Sequence, residues 1–249
     1  MILIDINIFY YYIKKKDMLK KSKTRIKKDK TKGNKVNYKI ESLEEGQNML
    51  VNIPKIFFET CNEKKDVFDN KISENRKYEQ YFWTSKTVND LLDACEYITN
   101  TCCFTTPSLA HAFHEKGREE KLLDIDERFN YLPRFEKFDI INPHYLDEDN
   151  FNIIVIDPPF FNISTKELFE ATNVITNNNF STKIIITYLV RFEYPLLETL
   201  KPYGISETNL HPQYAHIKSN KWRNFKIYSN IDLPNLKRIS GKYGFKKKY

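Results

Sequence analysis

The sequence predicts an open, doubly wound α/β sheet with ligand-binding loops at the carboxyl ends of its strands. Three observations point there. Phe151–Ile156 and Lys183–Val190 are almost wholly apolar, as parallel strands buried on both faces must be. Strand-like and helix-like segments alternate from Tyr78 to Ser229. Asp157-Pro158-Pro159-Phe160 follows the first apolar strand directly, at the strand end where such sheets carry function.

The elements follow in order. Ser85 reads as the cap of a helix carrying Val88, Leu91, Leu92, Cys95 and Ile98 on one face. Thr101–Thr105 is a short strand. Thr106-Pro107 then reads as N-cap and first helical residue, because proline fits a first turn, and Gly117 marks the exit. Lys121–Asp126 and Phe138–Asn142 read as the next strands. After Phe151–Ile156, Ser164 and Glu167 have capping-box spacing and open a helix with Leu168 and Phe169. Lys183–Val190 is followed by a helix over Phe192–Lys201, with Pro195 in its first turn. Residues 205–210 and 223–229 read as closing strands.

Charge divides the chain. Forty Lys and Arg against 33 Asp and Glu give +7 over 249 residues. Lys14–Lys35 alone carries a net +10 and Lys237–Tyr249 a net +6, which leaves −8 for residues 36–236 once Asp5 is counted. The pattern is an acidic body with two basic ends. Residues 1–35 read as a solvated basic arm, 36–77 as a linker or helical extension, and 233–249 as a basic tail. A hydrophobic share of 41% supplies a core and excludes full disorder. The four cysteines show no C-x-x-C spacing, so no metal site is expected, and a reducing compartment is: cytoplasm, nucleus or nucleolus. The opening apolar run of thirteen residues is too short to span a bilayer, and no membrane association is expected.

Asp157-Pro158-Pro159-Phe160 carries the chemistry. An Asp-Pro turn after a strand is common alone; four such residues in this position are not. The prolines stiffen the turn and cannot donate hydrogen bonds, which leaves their carbonyls as acceptors. One carboxylate, one rigid carbonyl and one ring can hold a planar amino group. His111, His114 and His144 read as surface or satisfied core residues.

The tetrad resembles the Asp/Asn-Pro-Pro-Tyr/Phe/Trp signature of amino-group methyltransferases that use S-adenosylmethionine. Gln80-Tyr81-Phe82-Trp83-Thr84-Ser85 resembles a segment of the lysine methyltransferases of elongation factor 1A, as do Pro212-Gln213-Tyr214-Ala215, Ser219-Asn220 and Arg223. Thr106-Pro107-Ser108-Leu109, Leu122–Arg128, His211 with Tyr214, and Ile227–Asn230 look closer to a sister branch. That branch methylates adenine N6 in large-subunit ribosomal RNA and carries zinc fingers, which this sequence lacks. The resemblance spans residues 78–232.

It implies a class I methyltransferase domain over 78–232, with a seven-stranded, mostly parallel sheet. It also implies S-adenosylmethionine as cofactor, held by Trp83, Thr106, Pro107, Asp126, Asn142 and Asp157. Asp157, Pro158, Pro159 and Phe160 would be catalytic, and His211, Tyr214, Asn220 and Arg223 would meet substrate. The usual glycine-rich cofactor loop is replaced by Cys103-Phe104-Thr105-Thr106-Pro107. The partner is then ribosomal RNA or elongation factor 1A. For RNA, Lys218, Lys221, Arg223 and Lys226 form a basic rim and the two basic ends could follow phosphates. A different class, an RNA-binding protein that keeps the fold without catalysis, is suggested by the missing glycine loop.

Overall fold

The computed structural model describes residues 65–69, 71–146 and 150–239, together with the backbone of three strands between residues 24 and 54. The chain divides into two compact units, Met1–Asn62 and Glu63–Tyr249.

In the first unit, β1 (Thr24–Lys32), β2 (Lys35–Ser42) and β3 (Asn48–Pro54) form an antiparallel sheet in that order. A basic arm and a linker or helix were expected there. The strand signal is present in the sequence: Val36, Tyr38 and Ile40 alternate with polar residues, and paired Lys32 and Lys35 flank Gly33-Asn34, a hairpin dipeptide. Most of the N-terminal arm and all but the start of the C-terminal tail lie outside the described residues.

The second unit holds the expected sheet. Its first helix, α1 (Ser85–Ala94), is capped by Thr84, whose side chain accepts from Thr87 N. Ser85, expected as the cap, instead donates its hydroxyl to the Lys65 carbonyl at 3.0 Å. Then come β4 (Thr101–Phe104), α2 (Pro107–Glu115), β5 (Lys121–Asp124), β6 (Phe135–Lys137), β7 (Ile153–Ile156) and α3 (Thr165–Ile175). β8 (Lys183–Leu189), α4 (Glu193–Thr199), β9 (Ser206–Glu207) and β10 (Phe225–Ser229) complete it.

The sheet order is β6-β5-β4-β7-β8-β10-β9. Strands β6 to β8 pair in parallel, and β10 inserts antiparallel between β8 and β9. This is the seven-stranded class I methyltransferase sheet. All four residues of β7 are fully buried, as its apolar run requires. Chain order reverses between β4 and β7, so the loops after these neighbouring strands open at one switch point.

Among the strands whose bounds differ from expectation, three show a local cause. The strand placed at Phe138–Asn142 is at Phe135–Lys137. The Asp139 side chain accepts from Ile141 N and Asn142 Nδ2, both at 3.0 Å, and this local turn ends the extended chain. The strand over Lys121–Asp126 stops at Asp124, because the Asp126 side chain accepts from Arg128 N and caps a short 3-10 turn. The closing strand at 205–210 shrinks to Ser206–Glu207. Lys237 and Ile239, at the start of the presumed tail, are bonded back through Asn209 N to Lys237 O and Ile239 N to Glu207 O.

The capping box on α3 forms as its spacing requires: Glu167 N donates to Ser164 Oγ at 3.2 Å, and Ser164 N donates to Glu167 Oε2 at 2.7 Å. Replacing Ser164 with Ala should lower unfolding stability by about 1 kcal/mol, read from urea or thermal denaturation.

Candidate active site

Asp157 follows β7 and opens on a cleft of about 850 Å³, counting its mouth. The residue is half-buried there. Tyr214 donates its hydroxyl to Asp157 Oδ1 at 2.7 Å, and Thr187, on the neighbouring strand β8, donates to the same oxygen. Both bonds end on Oδ1, so Oδ2 has no donor among the described residues. Burial pushes the Asp157 carboxyl up to about 8, against the pull of the two hydroxyls. Burial and the Asp157 charge hold Tyr214 well above the ordinary phenol value, so it remains a donor.

Tyr214 is fully buried and is held there from a distant part of the chain. Trp83 pairs with Tyr214 in an isolated antiparallel bridge. Thr84 N donates to Gln213 O at 2.8 Å and Ala215 N to Phe82 O at 2.9 Å. Gln213 N donates to Thr87 Oγ1 at 2.8 Å. The two segments that carry the family resemblance, 80–85 and 212–215, are thus stitched together, and one product of that pairing is the Tyr214–Asp157 hydrogen bond.

The cleft brings together the whole of the expected catalytic tetrad. Asp157, Pro158, Pro159 and Phe160 all line it, with Pro107 and Thr105 from the β4 loop. Phe160 contributes only part of its surface, because its ring packs among Tyr188, Phe225, Tyr214 and Tyr81 and is 4% exposed. Tyr81 lies nearly parallel to it, 21° between planes and 6.5 Å between centroids, and also lines the cleft.

Other expected site residues fall elsewhere. Trp83 is buried in the core and does not line the cleft. Thr106 is buried and sits at the N-cap of α2 as expected, with Pro107 opening the helix, but its side chain makes no capping bond; its hydroxyl donates to Val155 O at 3.4 Å, across to β7. The turn before it is made by Thr105 at φ 56°, a left-handed conformation that costs a branched residue about 1–2 kcal/mol.

Asp126 is buried and held by Arg128 Nε at 2.9 Å and by Gln80 Nε2 at 3.1 Å. Burial raises its carboxyl, but these donors bring it below the ordinary range. The acid that ends β5 and faces the cleft is Asp124, pushed up to about 7 by burial, with Asp126 N donating to it at 2.9 Å. Asn142 is exposed and bonded to Asp139; the cleft wall on that side is Phe138, Asp139, Ile140 and Ile141. His211, Asn220 and Arg223 are exposed. The histidines read as satisfied have partners in two cases: His111 meets the Tyr131 hydroxyl at 2.9 Å, and His144 meets Glu136 at 2.8 Å.

Sequence reasoning missed Thr187, Asp124, Tyr81 and Glu79. Thr187 is a short polar residue in the largely apolar strand KIIITYL, and such a residue when buried signals a polar partner. Glu79 Oε2 accepts from Phe161 N and Asn162 N, both at 3.0 Å, and so ties the 76–81 segment to the loop after the tetrad.

The sheet order and the strand-end carboxyl together define a methyltransferase of class I architecture. Residues 74–233 match the family model described as probable N6-adenine methyltransferase, and the chain belongs to that family. It is therefore an S-adenosylmethionine-dependent methyltransferase. Among solved structures, the PH0226 protein of Pyrococcus horikoshii OT3 is 16% identical, covering 71% of this chain and 83% of its own, with a TM-score of 0.34. A putative Zn-dependent alcohol dehydrogenase of Rhodobacter sphaeroides is 12% identical, covering 68% and 80%, also at 0.34. No curated protein matches the chain.

Two outcomes follow for Asp157. Removing a donor from its carboxylate raises its pKa, so Tyr214→Phe or Thr187→Val should shift its titration above about 8 in carbon-13 carboxyl NMR. The folded carboxyls of Asp157 and Asp124 titrate above the unfolded value. Their contribution to stability is therefore full below the unfolded pKa and is lost as pH rises to about 8 and about 7 respectively. Asp157→Asn should flatten the fall in stability as pH rises toward 8, measured by denaturation across that range.

Proposed function

We propose that the protein methylates the N6 amino group of adenine in RNA, ribosomal RNA in particular. The observation that carries this reading is the Asp157 carboxyl. Two protein hydroxyls occupy one of its oxygens, and the other remains open beside a Pro-Pro turn and aromatic walls.

S-adenosylmethionine supplies an electrophilic methyl group on a sulfonium. The cleft has residues suited to it. Asp124 at the end of β5 can accept from ribose hydroxyls. Phe138, Ile140 and Ile141 offer apolar walls to a purine. The Thr105–Pro107 turn stands where the glycine-rich loop stands in other methyltransferases.

The adenine amine is a weak nucleophile because its lone pair is delocalised into the ring. Asp157 Oδ2 and the Pro158 carbonyl accept its two N–H bonds, which moves the nitrogen toward tetrahedral and frees its lone pair from conjugation toward the sulfonium methyl. Phe160 and Tyr81 flank the base, which must leave its stack to enter. The amine proton passes to Asp157 in its ionised form as the methyl is transferred. Positioning and fixed dipoles supply most of the effect.

Methylation of a lysine in elongation factor 1A is the second reading. It is favoured by the Gln80–Ser85 segment and by the acidic body, at −8 over residues 36–236. A lysine ammonium must first lose a proton, from a pKa of about 10.4. Tyr214 is itself a buried donor and cannot take that proton; the Tyr81 and Phe160 rings lining the cleft beside Asp157 favour a planar amine.

Asp157→Ala should reduce methyl transfer by at least about a hundredfold while cofactor binding, read by calorimetry, persists. Mass spectrometry of ribosomal RNA nucleosides and of elongation factor 1A, with and without the gene, separates the substrates. Loss of N6-methyladenosine with intact lysine marks supports RNA; the reverse overturns it. Failure to bind S-adenosylmethionine at millimolar ligand would favour the non-catalytic reading.

A further inference from the structure

A second surface lies beside the Asp157 acceptor and takes no part in the steps above. Phe161 directly follows the catalytic tetrad, yet 56% of it is exposed. The Arg191 guanidinium lies over its ring at 4.7 Å from the centroid, and over the Phe192 ring at the same distance. Arg191 is thus held by two rings and makes no ion pair among the described residues. The arrangement is fixed from the backbone. Phe161 follows β7 and Arg191 follows β8, two strands paired in parallel, and Glu79 anchors the Phe161 amide.

Three further cations stand on the segment that enters β10, the strand paired with β8. Lys218, Lys221 and Arg223 are exposed on and beside the 3-10 segment Ser219–Asn224, and none has an ionic partner among the described residues. The segment is bound to the site through Trp222 Nε1, which donates to the Tyr214 carbonyl at 3.1 Å. Its C-terminal end leads into Phe225, which pairs with Leu189, two residues before Arg191. Lys226, expected in the same basic rim, is not part of it. It is bound to Glu193 at 3.1 Å and Glu207 at 2.9 Å, which also keeps the Glu193 carboxylate occupied beside Arg191.

An exposed ring backed by a planar cation, with unpaired cations nearby, matches the chemistry of single-stranded nucleic acid. Bases stack on aromatic faces regardless of sequence, and phosphates meet the cations. Arg191 lies over Phe161, whose ring is still 56% exposed and can meet a ligand. An acidic peptide would use the cations but has no need of the ring.

We infer that the Phe161–Arg191–Phe192 stack, with Lys218, Lys221 and Arg223, is a subsite for single-stranded RNA. It holds the nucleotide next to the one presented to Asp157, and this rests on the RNA reading above. Gripping that neighbour keeps the target base out of its stack, a step the Asp157 site cannot perform by itself.

The test uses the full chain and a fluorescein-labelled, adenosine-containing single-stranded oligoribonucleotide, with anisotropy read over a salt series. Phe161→Ala should weaken binding about tenfold, and Arg191→Lys, which keeps the charge but loses the plane, should weaken it measurably. The triple Lys218→Ala/Lys221→Ala/Arg223→Ala variant should make the slope of log K against log salt shallower by about 2, at ~0.7 per phosphate contact. S-adenosylmethionine binding should match wild type in all of them, which shows that they fold. If wild type binds the RNA and every variant binds it with equal affinity and slope, the subsite is wrong and the RNA reading stands. If wild type shows no salt-dependent RNA binding and methylates elongation factor 1A instead, both fall.

Discussion

The Asp157 carboxyl depends on two hydroxyls that reach it from different parts of the fold, and much of the second unit serves to deliver them. Thr187 arrives because β8 pairs in parallel with β7. Tyr214 arrives because residues 82–87 and 212–215, far apart in sequence, are joined backbone to backbone. Hydrogen bonds to a charged group contribute about 1.5–3 kcal/mol each, whereas burying a carboxylate costs several. The two donors therefore compensate only in part, and the group settles at about 8.

The same economy of parts appears at the β4 loop. Methyltransferase folds commonly turn here on glycine, which enters the left-handed region without penalty. This chain uses Thr105 at φ 56° instead, and Pro107 then starts α2 with a preset φ. The Thr106 hydroxyl, free of capping duty, bonds across to Val155 and locks the loop against β7. The missing glycines do not remove the turn; they move its cost into one strained residue held by the sheet around it.

Charge works at shorter range than the total suggests. Many cations of the described body are already bonded: Arg128 to Asp126, Arg118 to Glu120, and Lys226 to two glutamates. Arg191 and the Lys218–Arg223 group have no ionic partner among the described residues; Arg191 follows β8, and the group precedes β10, the antiparallel neighbour of β8. A polyanion can be steered there even though the body carries net negative charge, because screening limits interactions to about 8–10 Å at physiological salt.

The sequence by itself determined the alternating strands and helices, the α3 capping box, the buried runs of β7 and β8, and the position of the Asp-Pro-Pro-Phe turn. These rest on local rules: periodicity, caps, and proline geometry. The first unit's strands were legible too, in the Val36-Tyr38-Ile40 alternation, but the charge around them masked the period. Tertiary structure alone decided the rest. A strand's end depends on competing turns, so only the fold shows that β5 stops at Asp124, turns Asp126 to Arg128, and leaves Asp124 facing the cleft. Likewise Trp83 and Tyr214 have the look of ligand-binding residues, but packing puts both in the core, and the Tyr214 hydroxyl acts through Asp157. Which polar groups meet, and which oxygen of a carboxyl stays open, is set by contacts between segments distant in sequence, and those contacts exist only once the sheet has closed.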